Sequence, residues 1–367
     1  MKEYRYKNIL HFGTLQFDGN HIEYFRANTE KLIVYYVMPR KGKEPNRVRF
    51  YLKGNLFDEK VFYSPDNFFL CYFYLYFNFL RILYWYFSRK EKFYIICGHP
   101  LFSFFKGTLQ IFRKYELVYF VGDYYPGYSL LNIIYRTIFN YYHKQIKYRL
   151  YISDRLNKII NGTVIDNEHI KTIMWGVKPP KKYATYTGGL LTLCFIGTIR
   201  ETQGLKIVIE LLRTKKDIKV KILGPCEERL FIKYKKLIAT YKIEKQVYFP
   251  NKFFNMEQLE KETAECHIGV ALYDVIEAPY YSDPGKVKTY AQLGLPILMT
   301  DAAQVVKYIV KFNAGEIVQE HIESVVKGIE LIKGNYQLYI KGLKKFNNYF
   351  NYKSYYPERF SFLESAK

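Results

Sequence analysis

Cysteine is scarce in this chain, and its spacing follows no framework. Five cysteines stand at 71, 97, 194, 226 and 266 among 367 residues, an odd count with no C-x-x-C pair. Neither a disulfide scaffold nor a zinc finger is supported by that spacing. Cys97, Cys194 and Cys266 sit in apolar runs and are expected to be buried thiols in a reducing compartment. Acidic residues are also few: 34 Asp and Glu against 56 Lys and Arg leave a net charge of +22. Residues 1–150 hold 23 of the basic and 11 of the acidic side chains. A field of that sign favours nucleic acid, acidic lipid head groups or phosphorylated small molecules. Zinc-finger spacing, an RNP-type aromatic strand and an arginine-rich arm are all lacking, so no nucleic-acid partner is expected. The opening MKEYRYKNILHFG has no apolar h-region and no cleavage site, and a cytoplasmic chain is expected. With 49% hydrophobic residues, 39 of them Tyr and 29 Phe, the chain has ample means to fold.

Long uncharged apolar runs are lacking too. The nearest approach is Phe68–Phe87, FFLCYFYLYFNFLRILYWYF, close to the ~20 residues needed to span a bilayer. Asn78 and Arg81 interrupt it, and an arginine near a helix centre costs at least a few kcal/mol in hydrocarbon. The first expectation is a helix lying on its domain and touching the membrane. A buried core helix comes second and a spanning helix third. Tyr128–Tyr148 shares the basic-aromatic character, and together the two segments predict peripheral contact with an anionic membrane at the inner face of the plasma membrane.

Strand-like and helix-like patterns alternate along the chain. Strands are expected at Asn8–Phe12, Leu32–Val37, Val48–Leu52, Phe93–Cys97, Leu117–Val121, Arg149–Ile152 and Ile170–Met174, which reads as a doubly wound parallel sheet. The pattern breaks in VKPPKKYATYTGG, Val177–Gly189, and then restarts. Strands are expected at Leu190–Ile196, Ile218–Leu223, Val247–Phe249, His267–Leu272, Pro296–Met299 and Gly315–Ile317, with helices between. The expected organisation is residues 1–180 as one domain, 185–340 as a second of nucleotide-binding type, and 341–367 as a helical tail packing back on the first.

Three turns in the second half carry chemistry. In LCFIGTIRETQGL, Leu193–Leu205, a buried strand enters a glycine turn and then a helix, offering backbone N–H groups to an anion, with Arg200 adding charge. VKILGPCEE, Val220–Glu228, repeats the arrangement at Gly224. In YYSDPGKVKTYAQLGLPILMT, Tyr280–Thr300, Ser282 or Asp283 is expected to cap a helix. Lys286 then falls in the first turn, where the helix dipole disfavours a cation unless an anion binds there. The bland alternative for each is a structural turn beside a surface cation.

In order and spacing these segments, with VYFPNKF at 247–253, resemble the nucleotide-sugar half of GT-B glycosyltransferases, especially the family 4 group. The resemblance covers about residues 190–318. It implies two Rossmann-like doubly wound domains facing across a cleft. It also implies a diphosphate held by Gly197, Thr198, Arg200, Gly204 and Gly224 and by Ser282, Asp283, Pro284, Gly285 and Lys286, with Pro250, Asn251 and Lys252 near the base. The co-substrate would be a nucleotide sugar, a UDP-sugar first, with no other cofactor and no metal. Thr198, Gln203 and Thr289 stand where the family carries Arg, Lys and the ribose-binding Glu, and Tyr281 stands where it carries an acid.

In the first half, Asp123 follows the Leu117–Val121 strand in a Gly/Pro loop, as a general base for an acceptor hydroxyl or as a cap for the next helix. His99 is the second catalytic candidate, and Gly13, Asp18 and Gly19 would line the cleft. Retention and inversion both stay open. The function implied is sugar transfer to a lipid-linked or oligosaccharide acceptor at the cytoplasmic membrane face. The alternatives are an epimerase of the same fold and a non-catalytic basic protein that binds membrane or nucleic acid.

Overall fold

The computed structural model describes residues 4–13, 20–36, 46–63, 65, 68–87, 91–98, 115–122, 130–274 and 277–366. Met1–Met174 with Tyr352–Lys367 form one compact unit and Trp175–Asn351 the other. The division falls before the proline-rich stretch Val177–Gly189, which is part of the second unit. The chain re-enters the first unit at Tyr352 rather than at 341.

The first unit runs β1 (Tyr6–Gly13), α1 (Asn20–Asn28), β2 (Thr29–Tyr36), β3 (Asn46–Leu52), β4 (Asn55–Phe62), α2 (Phe68–Tyr86), β5 (Phe93–Cys97), β6 (Tyr115–Val121), α3 (Leu130–Tyr142), β7 (Tyr148–Tyr151), α4 (Asp154–Asn161) and β8 (Ile170–Thr172). The eight strands form one sheet in the order β4-β3-β2-β1-β5-β6-β7-β8. It is not wholly parallel, since the β2–β3 and β3–β4 pairs are antiparallel. The hairpin turns at Lys53 (φ 52°) and Gly54 (φ 85°), the left-handed pair that a two-residue hairpin requires. Sequence pattern missed β4 because NLFDEKVF has one edge to solvent and mixes charge with apolar residues; the charges protect that edge from further pairing. The helix expected over Tyr128–Tyr148 ends at Tyr142, and Tyr148 instead opens β7.

The core of this unit is aromatic: Tyr6, Tyr24, Phe25 and Tyr36 pack with Tyr352, Tyr356 and Phe360 of the returning tail. Tyr352 donates to Glu23 at 3.2 Å, and the Phe360 ring lies 4.7 Å from that of Phe25. α2 lies on the sheet through Leu75, Phe79, Ile82 and Leu83, all buried, while Phe73, Phe77 and Tyr84 face outward. No described helix is long and apolar enough to cross a membrane.

The second unit runs β9 (Leu191–Ile196), α5 (Leu205–Leu211), β10 (Ile218–Leu223), α6 (Glu228–Thr240), β11 (Val247–Tyr248), α7 (Met256–Glu262), β12 (Ile268–Ala271), α8 (Glu277–Tyr281), α9 (Gly285–Gln292), β13 (Ile297–Thr300), α10 (Val306–Phe312), β14 (Gly315–Val318), α11 (Ile322–Gly334) and α12 (Tyr336–Tyr349). Its six strands are parallel in the order β11-β10-β9-β12-β13-β14. Counted within the unit this is 3-2-1-4-5-6, the order of dinucleotide-binding sheets, whose ligands lie beyond the strand ends where the order reverses. That switch point is between β9 and β12.

The two strands pair only at Ile268–Leu193 and Gly269–Cys194 before they separate. Tyr290 of α9 fills the gap: its hydroxyl accepts from Ile196 N at 2.9 Å and donates to Val270 O at 2.6 Å. Gly269 makes room for it, since a Cβ there would lie 2.3 Å from the Tyr290 ring. Tyr290→Phe strands two buried backbone groups, each costing about 1–3 kcal/mol. We expect denaturant unfolding to register a loss of about 2–4 kcal/mol; a loss below about 0.5 kcal/mol would mean that water substitutes for the hydroxyl.

Candidate anion site at the second sheet's switch point

β9 is followed by Gly197, whose φ of 98° turns the chain away from the sheet. The end of β10 approaches so closely that a Cβ on Gly224 would lie 2.0 Å from the Gly197 carbonyl oxygen. Only glycine permits that contact, and it holds the two turns together. Gly197 N donates to Leu223 O at 3.1 Å and Ile199 N to Pro225 O at 2.9 Å. Asn251, left-handed at φ 50°, accepts from Cys226 N at 2.6 Å and ties in the loop after β11. Its role is thus to brace the Gly224 turn. Pro250 is partly covered, and the exposed Lys252 lies 5.0 Å over the Phe254 ring. Thr198 and Arg200 are exposed at the turn, and Gly204 (φ 64°) opens α5.

Lys286 approaches the same turn from α9. Its ammonium donates to Gln203 Oε1 at 3.0 Å and lies 4.7 and 4.9 Å over the Phe195 and Tyr273 rings. The Tyr273 backbone is itself fixed, both its N and O bonding to Thr300 Oγ1 at 2.9 and 2.7 Å. Among the described residues no carboxylate pairs with Lys286. By surface area the residue is half-buried, yet protein encloses its ammonium group. Burial, and secondarily the charge of Arg200, pull its pKa down to about 7. A cation held this way, beside a glycine turn and at the N-terminus of an eight-residue helix, is set to meet an anion.

The neighbouring motif residues have other duties. Asp283 does not cap α9; the N-cap is Pro284, which makes no side-chain cap bond. Asp283 turns inward instead, where it forms a buried pair with Lys288 at 3.4 Å and accepts from Trp175 N at 2.7 Å. Lys288 donates to Trp175 O at 3.0 Å and sits 3.3 Å over the Phe350 ring. Burial holds the Asp283 pKa up and pulls Lys288 down to about 8. Ser282 donates to Pro279 O at 3.2 Å, and Thr289 back-bonds to Gly285 O at 3.1 Å. A Cβ on Gly285 would meet nothing within 4 Å, which leaves the helix start open.

Sequence reading missed the inward Lys288 and a pair of acids. Asp274 follows β12, with its N–H on Thr202 O at 3.1 Å, and Glu320 follows β14. A hydrogen bond to Asp274 pushes the Glu320 carboxyl above its ordinary range. Nothing but their shared place beyond strand ends marks these two, and one-dimensional spacing does not reveal it. Asp123, His99, Asp18 and Gly19 lie outside the described residues; Gly13 ends β1. Among the described residues no cluster of three or more His, Cys, Asp or Glu could hold a metal.

Neither a protein-family model nor a curated protein sequence matches the chain. Solved structures do. Sucrose-phosphate synthase from Thermosynechococcus elongatus has a TM-score of 0.70 at 11% identity, with 98% of this chain and 100% of that one covered. Alr3699/HepE of Anabaena, in complex with UDP-glucose, gives 0.68 at 14% identity, with 98% and 100% covered. WaaG, a glycosyltransferase involved in lipopolysaccharide biosynthesis, gives 0.60 at 14% identity, with 96% and 98% covered. At such identities the likeness establishes the fold: two Rossmann-like domains of the GT-B type.

The depressed Lys286 pKa has a pH signature. The unfolded chain binds that proton more tightly than the folded one, so stability should rise with pH between about 7 and 10.5. Unfolding midpoints of the ligand-free protein and of Lys286→Met, followed across that window, test this. The wild type should gain on the variant as pH rises; parallel curves would show the lysine to be solvated.

Proposed function

We propose that the chain is a glycosyltransferase whose second unit binds a nucleotide-sugar donor, a UDP-sugar first. Lys286 carries this reading: an enclosed cation without a carboxylate, at a helix N-terminus beside a glycine turn, at the switch point of a parallel sheet. UDP-glucose and UDP bound to Alr3699/HepE, and UDP bound to TarM of S. aureus, agree with that choice of donor. The order of the turns resembles that of family 4, which we propose as its group.

In transfer, the bond between the anomeric carbon and the diphosphate oxygen breaks, and the diphosphate leaves with the electron pair. Negative charge grows on its oxygens. Lys286 and the N–H groups of α9 would stabilise that charge without rearranging, being already fixed by Gln203, Phe195 and Tyr273. Arg200, exposed at the facing turn, would add a second charge. The bound diphosphate raises the Lys286 pKa, so binding above pH 7 takes up a proton and affinity falls as pH rises. The acceptor hydroxyl attacks the anomeric carbon and gives its proton to a base, for which Asp123 is proposed first and His99 second.

The acceptor is proposed as lipid-linked or oligosaccharide, at the inner face of the plasma membrane. The basic first half and the outward aromatic side of α2 support contact with anionic lipid. WaaG, which acts in lipopolysaccharide biosynthesis, is a precedent on this fold.

A thermal-shift titration with UDP should stabilise the wild type, and Lys286→Ala should raise the UDP dissociation constant at least tenfold. Equal affinities would return Lys286 to a surface role, and no stabilisation by UDP, GDP, CMP or dTDP sugars would remove the donor reading. Asp123→Asn should abolish release of nucleoside diphosphate to an added acceptor while leaving UDP binding intact; surviving turnover would move the base elsewhere.

A further inference from the structure

We propose that a groove between β4 and α2 of the first unit binds one amphiphilic phosphate, an apolar chain bearing a phosphate head. The groove encloses about 430 Å³, within the usual range of ligand sites. It lies where the strands of this sheet end: Phe62 of β4 pairs with Asn46, Arg47 with Tyr36, and Tyr36 with Gly13 at the carboxyl end of β1. The walls are firmly joined. Tyr86 donates to Asp58 Oδ2 at 2.6 Å, and the Phe62 and Trp85 rings stack 6.1 Å apart.

Two features of the groove point to a ligand. The first is Asn78, a lining residue only 3% exposed, whose buried amide nitrogen has no hydrogen-bond partner. A buried donor left unmade is uncommon and costly. The second is Arg81. Its guanidinium lies 4.5 Å over Trp85 and 5.8 Å over both Phe62 and Phe77, and no described carboxylate pairs with it. The residue is exposed, and its guanidinium has N–H donors to offer a phosphate fork. Lys60 adds charge 5.2 Å over the Trp85 ring, shared with Asp58 at 3.1 Å. Tyr63, 69% exposed, lines the groove, and Phe73, 66% exposed beside the lining Tyr74, continues the apolar wall; together they would cover a chain. Asn78 and Arg81 are also the residues that argue against a spanning helix; in the folded unit they furnish a polar floor and a cationic rim in an aromatic trough.

This proposal does not depend on the donor site. The chain has two tryptophans, so in a Trp175→Phe background Trp85 reports on the groove alone. Dodecyl phosphate, titrated below its micellar concentration, should shift Trp85 emission saturably and at least tenfold more tightly than dodecyl maltoside. Inorganic phosphate alone should leave the emission unchanged. Arg81→Gln and Asn78→Leu should each weaken dodecyl phosphate at least fivefold without moving the unfolding midpoint. Should Asn78→Leu fail to fold, the exposed Arg81→Gln decides. Equal binding of phosphate and maltoside, a response to inorganic phosphate alone, or a response to phosphatidylglycerol vesicles but not to monomeric dodecyl phosphate would each overturn the site.

Discussion

Lys288 and Asp283 form an ion pair from which solvent is almost wholly excluded. Removing one partner of such a pair typically costs about 3–5 kcal/mol, because the other charge is left buried alone. The pair brackets Pro284 and Gly285 and so fixes the turn at which α9 begins. It also binds both the N–H and the C=O of Trp175, the first residue of its unit, while Lys288 rests on Phe350 near the last. Residues two apart on a helix project about 200° from one another. With Lys288 drawn inward, Lys286 is therefore directed to the opposite side, against Gln203 and the Gly197 turn. The anion site takes its orientation from a pair that does not belong to it.

The fold was legible because each strand of a parallel sheet is a short, nearly continuous apolar run ending in a turn. The six strands of the second unit stand within a residue or two of where the pattern places them. What escaped is governed by other physics. β4 is an edge strand, half solvated, and its charged alternation resembles a loop. The β3–β4 pair is antiparallel because a two-residue left-handed turn at Lys53–Gly54 reverses the chain; β2–β3 is antiparallel as well, and pattern reading gives no direction to a strand.

The candidate site was legible in part. Glycine turns and a lysine in a first helical turn are visible as local contradictions of ordinary propensity, and Gly197, Gly204, Gly224 and Lys286 do converge at one switch point. Asp283, Asn251 and Thr289 were grouped with them by motif, but their side chains hold the backbone. Only packing separates a polar residue that faces a ligand from one that braces the turn beside it. Asp274 and Glu320, 46 positions apart in sequence, show the converse: topology brings them together and spacing hides them.

Tyr290 and Gly269 have a consequence for how this protein can vary over time. The tyrosine hydroxyl joins two diverging strands, and the ring occupies the volume that a side chain at 269 would need. A larger residue at 269 is admissible only after Tyr290 has shrunk, and a smaller residue at 290 first leaves Ile196 and Val270 without partners. Either order of events passes through an intermediate less stable than its start. The two positions are thus coupled in descent, and related chains should keep both or have lost both together.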